Sequence, residues 1–121
     1  MPRVMVVDDS PTDKAHLRQI LTRAGYDVVE AATGQDAIQL AKAQQPDCVV
    51  MDVVMPGMNG FQATRQLSKD PSTAAIPIIV VSSKSQPTDR LWALRQGAKE
   101  YVVKPVTESE LIDKIRAVLG N

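Results

Sequence analysis

Five side chains that could take part in chemistry each follow a short apolar run of this 121-residue sequence. They are Asp8, Asp9, Asp52, Ser82 and Lys104. Three carboxylates in one pocket would repel each other, and a bound cation would relieve that repulsion. Oxygen ligands suit Mg²⁺, whereas the lack of a His or Cys cluster argues against zinc. A metal, a lysine and a hydroxyl together supply the positioning and charge neutralisation that phosphoryl transfer requires.

These side chains come together only if the apolar runs form one parallel sheet. The predicted strands are residues 4–7, 27–30, 48–51, 78–81 and 101–103, and their nearly continuous apolar character is typical of strands buried on both faces. The predicted helices are residues 12–24, 33 or 34 to 43, 59–67 and 87–97, with a last helix from Thr107, where Glu110 completes a capping box. Strand and helix alternate five times, which predicts a doubly wound α/β domain, a (βα)5 sandwich with helices on both faces of a five-stranded parallel sheet.

Ligands of such folds bind at the carboxyl ends of the strands, which is where the five side chains stand. Each of them alone has an ordinary structural explanation. Asp8 and Asp9 suit a turn and a helix cap, Ser82 suits a strand end, and Lys104 suits a solvated surface. Their joint placement after successive strands favours a functional site.

Composition excludes several classes of protein. The formal net charge is zero, which argues against a broad electrostatic grip on nucleic acid or on an anionic membrane. A single cysteine, Cys48, excludes an intrachain disulfide. No apolar stretch approaches the roughly 20 residues that span a bilayer, and the first apolar run is too short for a signal peptide. We therefore expect one cytoplasmic domain with neither a nucleic-acid nor a membrane partner.

Four runs of the sequence resemble a response-regulator receiver domain of the CheY-like type. They are residues 6–10 (VVDDS), 51–60 (MDVVMPGMNG), 76–82 (IPIIVVS) and 101–105 (YVVKP). The resemblance covers the whole chain and so implies a single receiver domain over residues 1–121. It also implies a cis peptide bond between Lys104 and Pro105.

The resemblance assigns roles to the strand-end residues. Asp52 would be the phosphorylated residue, Lys104 would contact the phosphoryl group, and Ser82 would move to bond it. The Mg²⁺ would be held directly by Asp9, through water by Asp8, and also by Asp52 and the backbone carbonyl of Val54. The phosphodonor would be a histidine kinase, so the chain would be a signalling phosphoacceptor and not an enzyme, catalysing only its own phosphorylation and dephosphorylation.

The output implied by the resemblance is a change in the surface formed by the fourth helix, the fifth strand and the fifth helix. The residues expected to follow the switch or to meet a target protein are Tyr101, Trp92, Leu94 and Val103. Trp92 has two open explanations, packing against the core or marking a docking face. Because the chain ends directly after the last helix, we expect output through protein–protein contact.

Two further segments, residues 60–67 and 92–98, are similar to the PilH-like single-domain receivers of type IV pilus, twitching-motility chemosensory systems. Two residues depart from common family patterns: Ser82 stands where threonine is more common, and Val54 is apolar where many relatives have a polar side chain. Lys84, two residues after Ser82, is a base at a variable position. The resemblance implies that the positions of Val54 and Lys84 tune access of the hydrolytic water, so we expect a distinctive phosphoryl lifetime.

Three other functions fit part of the pattern. A haloacid-dehalogenase-like phosphatase also uses an aspartyl phosphate, but it needs an aspartate at the position of Val54. A phosphorylation-independent binding module would have a decayed site, whereas all five strand-end residues are present. A phosphate sink that drains a kinase uses the same residues and stays open. His16 is expected to be a structural histidine and not a phosphohistidine.

Overall fold

Five strands alternate with five helices in the computed structural model, which describes residues 1–120. The strands are β1 (Arg3–Val7), β2 (Asp27–Ala31), β3 (Cys48–Asp52), β4 (Ile78–Ser82) and β5 (Glu100–Val103). The helices are α1 (Pro11–Arg23), α2 (Gly34–Gln44), α3 (Gly60–Lys69), α4 (Pro87–Arg95) and α5 (Glu108–Leu119). Every predicted element is confirmed, and the bounds differ from the predicted ones by at most two residues. Within the described chain, no helix combines the length and the apolar character that crossing a membrane requires.

The strands form one parallel sheet in the order β2-β1-β3-β4-β5. The predicted doubly wound sheet is therefore confirmed. β3 and β4 are buried along their whole length, which explains why their sequences are apolar without alternation. The chain direction across the sheet reverses between β1 and β3, so the switch point lies where Asp8 and Asp52 follow or end their strands.

Two separate cores cover the two faces of the sheet, because successive strand residues point to opposite faces. On one face, Met5 and Met51 pack with side chains of α2, α3 and α4, among them Ala37, Leu67 and Ala93. On the other face, strand residues pack with α1 and α5, and the buried members include Val6, Val50, Leu17, Leu111 and Ile115. The helices thereby leave the carboxyl edge of the sheet uncovered for the loops that carry the site.

The helix caps differ in one respect from expectation. Thr107 Oγ1 accepts a hydrogen bond from the Glu110 backbone N–H at 3.3 Å, but no reciprocal bond to the Glu110 side chain is found within residues 1–120. The predicted capping box is therefore wrong in its second half, since the exposed Glu110 side chain stays in solvent. A complete box occurs at α3, where Asn59 and Gln62 bond each other reciprocally at 3.0 Å.

Candidate functional site

An acidic cluster occupies the carboxyl edge of the sheet. Carboxylate oxygens of Asp8, Asp9 and Asp52 lie within 4.8 Å of one another. The parallel register pairs Val7 with Met51, so the residues that follow each are brought side by side. Asp8 and Asp52 are buried, whereas Asp9 is exposed. The cluster is thus open on one side, and its all-oxygen donor set fits Mg²⁺.

Lys104 reaches this cluster from the end of β5. Its Nζ atom lies 3.0 Å from Asp52 Oδ1, 3.4 Å from Asp8 Oδ2 and 2.9 Å from Asp13 Oδ2. Burial disfavours the charged ammonium, but hydrogen bonds to Asp13 and Asp52 outweigh burial and raise the pKa of Lys104 above its ordinary value. The peptide bond between Lys104 and Pro105 is cis, as predicted. The lysine therefore stays charged and directed at the carboxylates.

Asp13 is a member of this site that sequence reasoning missed. It lies in the first turn of α1, where its backbone N–H donates to the Ser10 Oγ cap at 3.3 Å. The Ser10 backbone N–H in turn donates to Asp8 Oδ1 at 2.9 Å. An acidic residue in a first helical turn has an ordinary explanation in the helix dipole, so only its spacing four residues after Asp9 could have signalled the contact.

Ser82 and Tyr101 are joined through the backbone of one residue, Lys84. Ser82 Oγ accepts a hydrogen bond from the Lys84 N–H at 3.1 Å. The Tyr101 hydroxyl donates to the Lys84 carbonyl at 2.7 Å. Both side chains are buried, and burial raises the pKa of the Tyr101 phenol. Among the described residues, Ser82 therefore bonds the loop after β4 and none of the three carboxylates.

The loop after β3 is held close to Asp52. The Gly60 backbone N–H donates to the Val53 carbonyl at 2.8 Å, which brings the start of α3 back to the end of the strand. Within residues 1–120 no hydrogen bond to the Val54 carbonyl is found. The Val54 side chain is 63% exposed, which is consistent with a role for its backbone alone.

The predicted output residues divide by burial. Tyr101 is buried and Leu94 is half-buried, while Trp92 and Val103 are exposed. Trp92 belongs to neither core and instead lines a cleft between α3 and α4 together with Phe61. Of the two explanations left open for Trp92, packing in the core is therefore wrong, because α4 directs it at solvent beside α3.

Two remaining residues have structural surroundings. Nε2 of His16 donates to the Val106 carbonyl at 3.1 Å, which ties α1 to the segment after β5. Cys48 is fully buried in β3, and burial raises the pKa of its thiol to about 12. A thiol in that state is an inert core group.

Burial also raises the pKa of Asp52, an effect that the Lys104 hydrogen bond reduces and the nearby Asp8 charge reinforces. The folded protein then holds the Asp52 proton more tightly than the unfolded chain, so ionised Asp52 lowers the free energy of unfolding.

We expect Asp52→Asn to be more stable than wild type at pH 7 in buffer containing EDTA. This advantage in the free energy of unfolding should shrink on acidification and disappear below pH 3.8, the ordinary pKa of an aspartate. Urea titrations across pH measure it, and a less stable variant at pH 7 would mean that the Lys104 ion pair outweighs burial.

Comparison with known proteins agrees with this geometry. The family described as the response regulator receiver domain matches residues 4–116. The chain is 52% identical over 120 residues to Protein PilH of Pseudomonas aeruginosa, covering 99% of both chains. It is 38% identical over 118 residues to the Chemotaxis protein CheY of Thermotoga maritima, covering 96% of each. The predicted resemblance to CheY-like receivers, including the PilH-like subgroup, is thereby confirmed.

A solved structure links the fold to a metal. The receiver domain of a sensor histidine kinase from Pseudomonas aeruginosa PAO1, with a magnesium ion coordinated in its active-site cleft, superposes with a TM-score of 0.91. That chain is 28% identical, and the match covers 99% of this chain and 98% of the other. The acidic cluster found here is compatible with the same ion. The chain belongs to the response-regulator receiver domain family, whose members are signalling phosphoacceptors that bind Mg²⁺ at an acidic site.

Proposed function

We propose that this chain is a single-domain cytoplasmic response regulator that accepts a phosphoryl group from a histidine kinase onto Asp52. The observation that carries the proposal is the position of Asp52. Its Oδ1 atom lies 3.0 Å from Lys104 Nζ, inside a three-carboxylate cluster at the switch point of the sheet. A carboxylate nucleophile, an adjacent cation and an oxygen-donor cluster are what phosphoryl transfer to aspartate requires.

Metal binding is assigned to four groups. Asp8, Asp9, Asp52 and the Val54 carbonyl would hold Mg²⁺, whose contribution when bound is to neutralise charge on the transferred phosphoryl oxygens. Asp9 contributes the exposed carboxylate through which an ion can enter the cluster.

We expect Asp9→Asn to weaken Mg²⁺ binding by at least about tenfold, because even residues behind the ligands are worth that much. Calorimetric titration with MgCl₂ measures the change. The matched control is Asp27→Asn, an exposed aspartate at the amino end of β2 and therefore at the far edge of the sheet. Equal affinity of Asp9→Asn and Asp27→Asn would remove Asp9 from the metal site.

The reaction has two steps, phosphorylation and hydrolysis, and in each step one bond to phosphorus forms while another breaks. An Asp52 carboxylate oxygen attacks the phosphorus of the kinase phosphohistidine in line. The phosphorus–nitrogen bond breaks, its electron pair stays on the imidazole, and Asp52 carries an acyl phosphate. Lys104, whose Nζ lies 3.0 Å from Asp52 Oδ1, would donate to the transferred oxygens. Water later attacks the same phosphorus and releases inorganic phosphate from Asp52, so the chain itself promotes both steps.

The signal leaves the site through Lys84. When Ser82 Oγ turns to bond the phosphoryl group, it gives up its bond from the Lys84 N–H. The Tyr101 hydroxyl holds the carbonyl of the same residue, so the loop and the Tyr101 ring move together. The surface of α4, β5 and α5, which includes Leu94 and Val103, then presents a different shape to a target protein. Two such conformations in equilibrium would be biased by phosphorylation.

The similarity to PilH over 99% of both chains supports a chemosensory kinase of a twitching-motility pathway as the phosphodonor.

Acetyl phosphate tests the proposal directly. In the presence of Mg²⁺, intact-mass measurement should show the gain of one phosphoryl group. Borohydride reduction converts an aspartyl phosphate to homoserine and should mark position 52. Modification at another residue, or modification that persists in EDTA, would contradict the assignment.

A further inference from the structure

The ammonium of Lys104 is shared among more carboxylates than the acidic cluster contains. A lysine has three N–H donors. Here three carboxylates surround them, those of Asp8, Asp13 and Asp52, and the shortest distance, 2.9 Å, is to Asp13. The ammonium is therefore paired with three carboxylates before any phosphoryl group arrives, and it donates hydrogen bonds to Asp8 and Asp13.

Asp13 differs from the other two partners in burial and position. Its side chain is 47% exposed, whereas those of Asp8 and Asp52 are 1% and 8% exposed. Its carboxylate is also outside the group of three that could hold a metal ion. Water can replace Lys104 as the partner of Asp13 at low cost, but not as the partner of a buried carboxylate.

We propose that Asp13 is a positioning residue that holds Lys104 in the unphosphorylated protein and competes with the phosphoryl group for its ammonium. The inference rests on the proposed phosphorylation of Asp52. A phosphoryl group adds oxygens that need the donors of Lys104, and Asp13 is the partner that yields. Its negative charge also opposes the charge of the incoming group. Asp13 thereby favours the unphosphorylated state.

The structure explains why Asp13 is held in place for this contact. Its backbone is fixed by the Ser10 cap, and Ser10 is fixed by the buried carboxylate of Asp8. Burial lowers the pKa of Lys104, and the hydrogen bond to Asp13 is the first of the contacts that raise it above its ordinary value. The first turn of α1 and the site are thus one hydrogen-bonded unit, and loss of the ion pair would be sensed at the start of α1.

The test is the affinity for beryllofluoride, a phosphoryl mimic, measured by calorimetry at saturating Mg²⁺. We expect Asp13→Asn to bind it about two- to fivefold more tightly than wild type, the size expected for a half-exposed ion pair. The acyl phosphate formed from acetyl phosphate should also last longer. The gain should shrink in high salt, since exposed charges are screened. Asp13→Glu keeps the charge and should stay near wild type.

Asp36→Asn is the matched control. Asp36 occupies the same place in α2, with its N–H bonded to a Thr33 cap at 3.0 Å, but it is not part of the site. Urea titration verifies that each variant is folded. Affinity of Asp13→Asn equal to or weaker than that of Asp36→Asn would overturn the inference.

Asp52→Asn separates the two claims. If wild type binds beryllofluoride and Asp52→Asn does not, the proposed function stands whatever Asp13→Asn does. If Asp52→Asn binds as wild type does, the proposed function fails and the inference about Asp13 fails with it.

Discussion

Asp52→Asn is expected to gain no phosphoryl group from acetyl phosphate, whereas wild type gains one. The amide lacks the anionic oxygen that attacks phosphorus. Asp8, which also belongs to the cluster, lies farther from Lys104 Nζ, at 3.4 Å compared with 3.0 Å for Asp52. Intact-mass measurement after incubation with Mg²⁺ reads out the result. Any change in Trp92 fluorescence that beryllofluoride causes in wild type should be absent in the variant.

The control for this prediction lies at the opposite end of the same strand. Asp47 directly precedes β3 and accepts the Arg3 backbone N–H at 2.7 Å. Asp47→Asn should therefore be phosphorylated like wild type. Because Asp52→Asn is also expected to be the more stable protein at pH 7, loss of the reaction would not reflect unfolding. Retained modification of Asp52→Asn would place the acceptor elsewhere.

Gly60→Ala is expected to destabilise the protein by about 1–3 kcal/mol, the usual cost of forcing extra atoms into a packed region. A Cβ atom at position 60 would overlap the backbone carbonyl oxygen of Asp52 and would lie 2.9 Å from the Val53 Cα. Backbone atoms of a central strand cannot move aside as a flexible side chain does. In an unobstructed helix the same change would stabilise, by up to about 1 kcal/mol, so the sign is diagnostic.

Gly34→Ala is the matched control for this steric argument. Gly34 is the first residue of α2, as Gly60 is of α3. Its added Cβ would lie 3.1 Å from the Met58 carbonyl oxygen and 3.2 Å from the Met58 side chain, contacts that a shift of a few tenths of an ångström relieves, whereas the overlap at Gly60 is far deeper. Urea denaturation should show a much smaller change than for Gly60→Ala. Equal stability of the two variants would mean that the end of β3 is adjustable.

The contacts of Gly60 fix the backbone of Asp52, the proposed phosphoacceptor. Gly60 lets the start of α3 approach the Asp52 backbone, and its N–H fixes the Val53 carbonyl. The neighbouring Val54 carbonyl has no hydrogen-bond donor within the described chain. We therefore expect Gly60→Ala to slow phosphorylation as well as to lower stability.

The backbone of Lys84 connects the Ser82 hydroxyl with the Tyr101 ring. Its N–H and its carbonyl are bonded by Ser82 and Tyr101, which lie on neighbouring strands. Lys84, a base at a position that varies in the family, is thus the residue through which the Ser82 hydroxyl and the Tyr101 ring are connected. Its side chain is exposed, so the joint itself is made by backbone atoms.

The sequence by itself determined the order of elements and the placement of five reactive side chains at the carboxyl ends of strands. Buried parallel strands have a continuous apolar signature, and such strands bring their carboxyl ends to one edge. The acidic cluster of Asp8, Asp9 and Asp52 follows from that rule, as does the approach of Lys104. These features are predictable because each depends on local pattern and on the known geometry of the sheet.

Only the tertiary structure decided which groups meet across elements. The contact of Lys104 with Asp13 joins residues 91 positions apart, and the close approach of Gly60 to Asp52 depends on how α3 returns to the sheet. Whether Trp92 packs inside or faces the α3–α4 cleft depends on the rotation of α4, which its sequence leaves open because apolar residues surround Trp92 on either side. Periodicity indicates which face of an element is apolar. The distances between side chains on different elements are set by packing, and those distances decide which carboxylates pair with Lys104.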